Sequence, residues 1–184
     1  MTTSIRLFVS TTRDLDNERA VIARAIAEMP LDLGIEIRRS PSLSPTRHEV
    51  LERIAAVDRV YFLLGNDISA PSGLEWQLAR ENEREILPLR RALKPTPAAQ
   101  EFARMTPVRW FSYPNSEALV QIVSLDLAHL LRGQGNPFGL TTAELARVAR
   151  FAKRLAKSSP GYAEQMGHEA GGVDQGGVLL ERHR

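Results

Sequence analysis

Apolar and polar positions along this chain follow two alternating periods. Ile5-Arg6-Leu7-Phe8-Val9 is a mostly apolar run that breaks abruptly into Ser10-Thr11-Thr12, which reads as a buried strand entering a hydroxyl-rich turn. The period then lengthens. Leu15, Ile22, Ile26 and Met29 fall near one face of a helix with Asp14 as its N-cap, and Pro30 stops it. The alternation recurs down the chain. Strands are predicted over residues 5–10, 35–39, 59–64, 85–90 and 107–112, and helices over 14–29, 45–57, from Ser72 onward, 94–105, and from Asn115 or Ser116 to Gly133. Val60-Tyr61-Phe62-Leu63-Leu64 is continuously apolar, as a central parallel strand should be. Pro88 removes a ladder donor from the middle of the fourth strand.

Strands that alternate with helices imply a parallel sheet with right-handed crossovers. Five of them suggest an α/β, flavodoxin-like order of 2-1-3-4-5 with helices on both faces. In that order the first and third strands are neighbours at the point where the order reverses. Their carboxyl ends carry Ser10, Thr11 and Thr12 on one loop and Gly65, Asn66 and Asp67 on the other, so both loops border one crevice. Hydroxyls at a helix N-terminus can hold phosphate or ribose oxygens. They can equally do no more than satisfy the turn.

Past Gly133 the pattern changes. Gly135-Asn136-Pro137-Phe138-Gly139 reads as a linker, Thr141 and Glu144 fit a capping box, and a helix follows with Leu145, Val148, Ala152 and Leu155 on one side. Arg147, Arg150, Lys153, Arg154 and Lys157 charge its other side, which reads as a solvated face or as a docking face for a partner. Residues 158–184 contain six glycines, with Gly171-Gly172-Val173 echoed by Gly176-Gly177-Val178, and are expected to be a flexible tail. The expected organisation is an α/β domain over 1–133, linker and basic helix over 134–157, and the tail over 158–184. Protein partners or self-assembly are expected to use residues 140–184.

Composition narrows the function. The 184 residues contain no cysteine, which removes disulfides, thiolate catalysis and cysteine-based metal sites and suits a reducing cytoplasm. No signal-peptide pattern or membrane-length apolar run is visible, so a cytoplasmic location without membrane attachment is expected. Residues 1–133 hold 17 Lys/Arg and 17 Asp/Glu, and this balance argues against a general nucleic-acid-binding surface. The four histidines are scattered, so no metal site is expected. Neither Gly-x-Gly-x-x-Gly nor a Walker Gly-Lys-Ser/Thr motif is present, which disfavours a dinucleotide-binding dehydrogenase and a P-loop NTPase.

Glu75 is the sharpest candidate for chemistry. It is expected in the first turn of the helix after the third strand, where a carboxylate overhangs the crevice and can stabilise an oxocarbenium-like ribosyl cation. A helix dipole alone would also favour an acid there. Its carboxylate is expected 6–12 Å from the Ser10 or Thr12 hydroxyls, about the span of a ribose with one phosphate. Trp76 can stack on a base or pack in the core, and Arg90 and Arg91 can reach a phosphate or remain solvated.

Phe8-Val9-Ser10-Thr11-Thr12-Arg13-Asp14-Leu15, followed by Glu18-Arg19, resembles the opening signature of the family called domain of unknown function 4062, with Thr11 where the second serine usually stands. Asp58-Arg59-Val60-Tyr61-Phe62-Leu63-Leu64-Gly65 resembles its central strand, and Gly73-Leu74-Glu75-Trp76-Gln77-Leu78-Ala79 its glutamate-bearing helix. That family is similar to Toll/interleukin-receptor (TIR) domains and nucleoside 2-deoxyribosyltransferases. The resemblance covers about residues 5–112 and implies a TIR-like fold, a nucleotide or NAD-like ligand, a signalling or defence role, and N-glycosidic cleavage served by Glu75. No tightly held cofactor is implied; NAD or another nucleotide would be ligand or substrate. The contrasting expectation is a non-catalytic interaction module.

Overall fold

The structure is a computed structural model that describes residues 4–31, 34–39, 46–158 and 161–162. Its strands are β1 (Ile5–Thr11), β2 (Ile35–Arg38), β3 (Arg59–Leu64), β4 (Ile86–Arg91) and β5 (Phe111–Tyr113). They form one parallel sheet in the order β2-β1-β3-β4-β5, the flavodoxin-like order. Its helices are α1 (Asp16–Ala27), α2 (Arg47–Ala55), α3 (Ala70–Glu81), α4 (Pro97–Met105), α5 (Ser116–Leu131) and α6 (Thr142–Ser158).

The strand period of two divides the core. Ile5, Leu7 and Val9 of β1 join Leu63, Leu89 and Phe111 under α1 and α5, while Phe8 packs with Val50, Ile54 and Leu78 from α2 and α3. Phe62 and Leu64 face Trp76 of α3 and Ala99 of α4. α5 is buried almost all round because the sheet covers one side and α6 the other, through Val148. The helix beyond the linker therefore belongs to the same core. Among the described residues no helix is long and apolar enough to cross a membrane. From residue 163 on, the expected tail lies outside the described residues.

Of the boundaries that differ from the sequence pattern, three bear on the site and its surroundings. β5 is Phe111–Tyr113 and not 107–112, because Pro107 has no N–H for a ladder and Val108 and Trp110 pack into the aromatic cluster beside α4. β5 pairs only with Leu89–Arg91, so Pro88 sits one residue before that ladder begins. α1 starts at Asp16, after a 3-10 turn over Arg13–Leu15, so Asp14 is not its N-cap. α3 starts at Ala70 with Ser69 as N-cap, which places Glu75 in the second turn and not the first.

Burial also gives the fold an alkaline limit. Tyr61 is held well above the ordinary tyrosine range by burial and then by the Asp126 charge, and Tyr113 is raised by burial and then by Glu18. Both phenols stay neutral in the folded chain while their unfolded counterparts ionise near pH 10. Their contribution is fully present below about pH 10 and is lost as pH rises toward the folded values. Urea midpoints measured from pH 7 to 11 are expected to hold up to about pH 10 and then fall. Tyr61→Phe and Tyr113→Phe should flatten that fall.

Candidate functional site

Ser10 and Thr12 bracket the end of β1 and are 1% and 3% exposed. Their neighbour Thr11 lies between them in sequence, its Oγ1 buried without a partner among the described residues. Register places Ser10 beside Phe62 and Thr11 beside Leu63 on β3, so the first two hydroxyls leave opposite faces of the sheet.

On the α3 side, Ser10 Oγ donates a short hydrogen bond to Glu75 Oε2. Glu75 is only 6% exposed. The second-turn position of Glu75 turns its carboxylate in toward the sheet, where the dipole of the first turn no longer accounts for it. The expected 6–12 Å gap between this carboxylate and the Ser10 hydroxyl is therefore closed by a direct bond, and no ribose fits between them. A ligand would have to meet the pair as a unit.

Thr12 and Asp14 tie this loop to the next. Thr12 Oγ1 donates to Asp14 Oδ1 (2.6 Å) and accepts from the Gly65 N–H (3.2 Å), and Asn66 N–H donates to Asp14 Oδ2 (2.7 Å). A Cβ added at Gly65 would overlap the Asp14 carboxylate, so glycine is what lets this carboxylate reach the backbone of the second loop. Gly65→Ala is expected to lower stability by about 1–3 kcal/mol by urea unfolding, since the displaced carboxylate leaves the Asn66 N–H. The loss should shrink in an Asp14→Ala background, which a double-mutant cycle would read.

The loop after β3 is fastened in turn to the start of α4. Asn66 C=O accepts from Thr96 N–H (2.7 Å), and Asp67 Oδ1 accepts from the Thr96 hydroxyl (2.6 Å) and the Ile68 N–H (2.9 Å). These donors, the Thr96 hydroxyl first, hold the Asp67 carboxyl below its ordinary range. Thr96 was not among the expected site residues. Its sequence signal is a threonine N-cap directly before Pro97.

Other expected residues have different employments. Trp76 is 7% exposed and stacks on Trp110 (centroids 5.6 Å apart, 15° between planes), with Phe62 and Phe102 at its edges. This corrects the base-stacking expectation, because the ring's flat face is already covered by protein. Arg90 is exposed at the register position of Leu64, on the α3 side. Arg91 instead crosses to α1 and pairs with Glu18 at 2.8 Å, so it is committed to a buried carboxylate. Among the described residues no three His, Asp or Glu side chains are grouped as a metal site would require.

No protein-family model matches this sequence, and no curated protein matches it. The likeness to the domain of unknown function 4062 family therefore stands on the motifs alone. Among solved structures, the Clostridium botulinum CMP N-glycosidase BcmB aligns over 67% of this chain and 99% of that chain, with 18% sequence identity and a TM-score of 0.47.

Proposed function

We propose that the carboxyl edge of β1 and β3 binds a nucleotide or NAD-like ligand, and that Glu75 serves cleavage of its N-glycosidic bond. The observation that carries this reading is the buried Ser10–Glu75 pair at the point where the strand order reverses, the usual ligand position of an open α/β sheet. A carboxylate removed from bulk water is a strong stabiliser of positive charge. In the proposed step the bond from ribose C1 to the base nitrogen breaks and the base leaves with the electron pair. Positive charge grows on C1 opposite Glu75 and water adds to C1; its proton goes to a base that leaves as an anion, as from a nucleoside monophosphate, or to solvent where the base leaves neutral, as nicotinamide does. Ser10 positions the carboxylate. Thr12, Asp14, Gly65, Asn66 and Asp67 form the rim that orients the ligand.

The test is incubation of the full chain with NAD and, separately, with nucleoside monophosphates, followed by chromatography for the free base. Release that scales with protein concentration supports the reading. Saturable binding without release at high protein concentration would make the site that of a ligand-binding module.

A further inference from the structure

We propose that the cationic face of α6 is the docking surface for the acidic C-terminal segment of the same chain, residues 163–181. α6 spends its apolar face on α5, through Val148 with Leu145, Ala152 and Leu155 beside it. On its outer side Arg150, Lys153, Arg154 and Lys157 line an open recess of about 210 Å³. Their i, i+3, i+4, i+7 spacing makes one stripe about 10 Å long at 1.5 Å per residue. None of the four has an ion-pair partner among the described residues; Arg147, one turn earlier, has Glu144 at 3.9 Å.

An amphipathic helix whose apolar side is already buried has nothing to insert into a bilayer, which disfavours a lipid surface. The balanced charge of residues 1–133 gives a nucleic-acid backbone no extended positive track to follow beyond this stripe. Residues 163–181, by contrast, carry Glu164, Glu169, Asp174 and Glu181 and no lysine or arginine, and only Arg182 and Arg184 beyond them offset that negative charge. Four residues separate the segment from the end of α6, and at about 3.3–3.6 Å per extended residue the chain between Tyr162 and Glu169 or Asp174 is long enough to return over the stripe. Gly171-Gly172 and Gly176-Gly177 impose no side-chain penalty on such a return. Tethering also gives the segment an effective concentration in the millimolar range, ahead of any free acidic partner.

The absence of native cysteine provides a direct test, since Ala170→Cys in the full chain creates a unique position for a nitroxide label. Amide spectra are expected to lose peak intensity at Arg150–Lys157 at about 50 mM salt, and to recover it at about 0.5 M salt, where charge screening is short-ranged. The loss should also vanish when Glu164→Gln, Glu169→Gln, Asp174→Asn and Glu181→Gln are combined. No loss at low salt, or the same loss after neutralisation, would overturn the proposal. So would a loss that appears only on unlabelled copies mixed with labelled ones, which would make the occupant a second molecule.

Discussion

Glu75→Gln is expected to lower turnover by about 10²–10⁴-fold while ligand affinity stays within a few-fold. The substitution keeps the planar shape and an oxygen that can accept from the Ser10 hydroxyl, but it removes the charge. Charge is what a developing ribosyl cation draws on, whereas the ground-state ligand gains little from it, so the loss belongs in kcat and not in binding. Free base released per unit time gives the first quantity and calorimetric titration the second. A variant with undiminished turnover would remove Glu75 from the chemistry. One that lost binding and turnover together would make it a ligand-holding group. Because Glu75 is 6% exposed, the unfolding midpoint of the variant must be measured alongside, to separate a lost charge from a lost fold.

The largest expected effect on stability lies at the opposite, amino-terminal end of β3. Arg59 forks onto Asp126 of α5, with Nε at 3.0 Å from Oδ2 and a second, shorter bond from Nη2 to Oδ1. The two side chains are 14% and 5% exposed. Asp126→Ala would leave a guanidinium that cannot give up its proton in a largely buried site, and is expected to cost about 3–5 kcal/mol. Glu85 also pairs with Arg59 at 2.7 Å, but it is 70% exposed and cannot replace a buried partner. Urea unfolding reads the loss directly. The double change Arg59→Met with Asp126→Leu should recover most of it, because apolar side chains of similar volume need no compensation. If Asp126→Ala costs less than about 1 kcal/mol, water reaches the fork and the pair is a surface contact in energetic terms.

The extent to which this fold was legible beforehand follows from the range of the interactions involved. Helix and strand periods are local, and they recovered the five parallel strands and the order β2-β1-β3-β4-β5. Short-range capping was equally readable. Thr141 and Glu144 exchange the expected bonds, with Thr141 N–H to Glu144 Oε2 at 2.8 Å and Glu144 N–H to Thr141 Oγ1 at 3.3 Å. Local reading failed where a side chain had a better offer from a distant segment. Asp14 has the chemistry of an N-cap, yet its carboxylate is satisfied 52 residues away at Asn66, where Gly65 leaves room for it. Val108 and Trp110 have strand-like propensity, yet an aromatic cluster took them.

The candidate site divides along the same line. Which two loops meet was readable from periodicity and crossover rules, since they give the strand order and the ends of β1 and β3. What each side chain does there emerges only once the chain is packed. Packing joined Ser10 to Glu75, placed Trp76 against Trp110, and sent Arg91 to Glu18. A register slip of one residue, or a helix start moved by two as in α3, turns a side chain to a different neighbour. Patterns of apolar residues set the faces of elements to within a residue or two; hydrogen bonds act within about 3 Å, and only the packed chain resolves that distance.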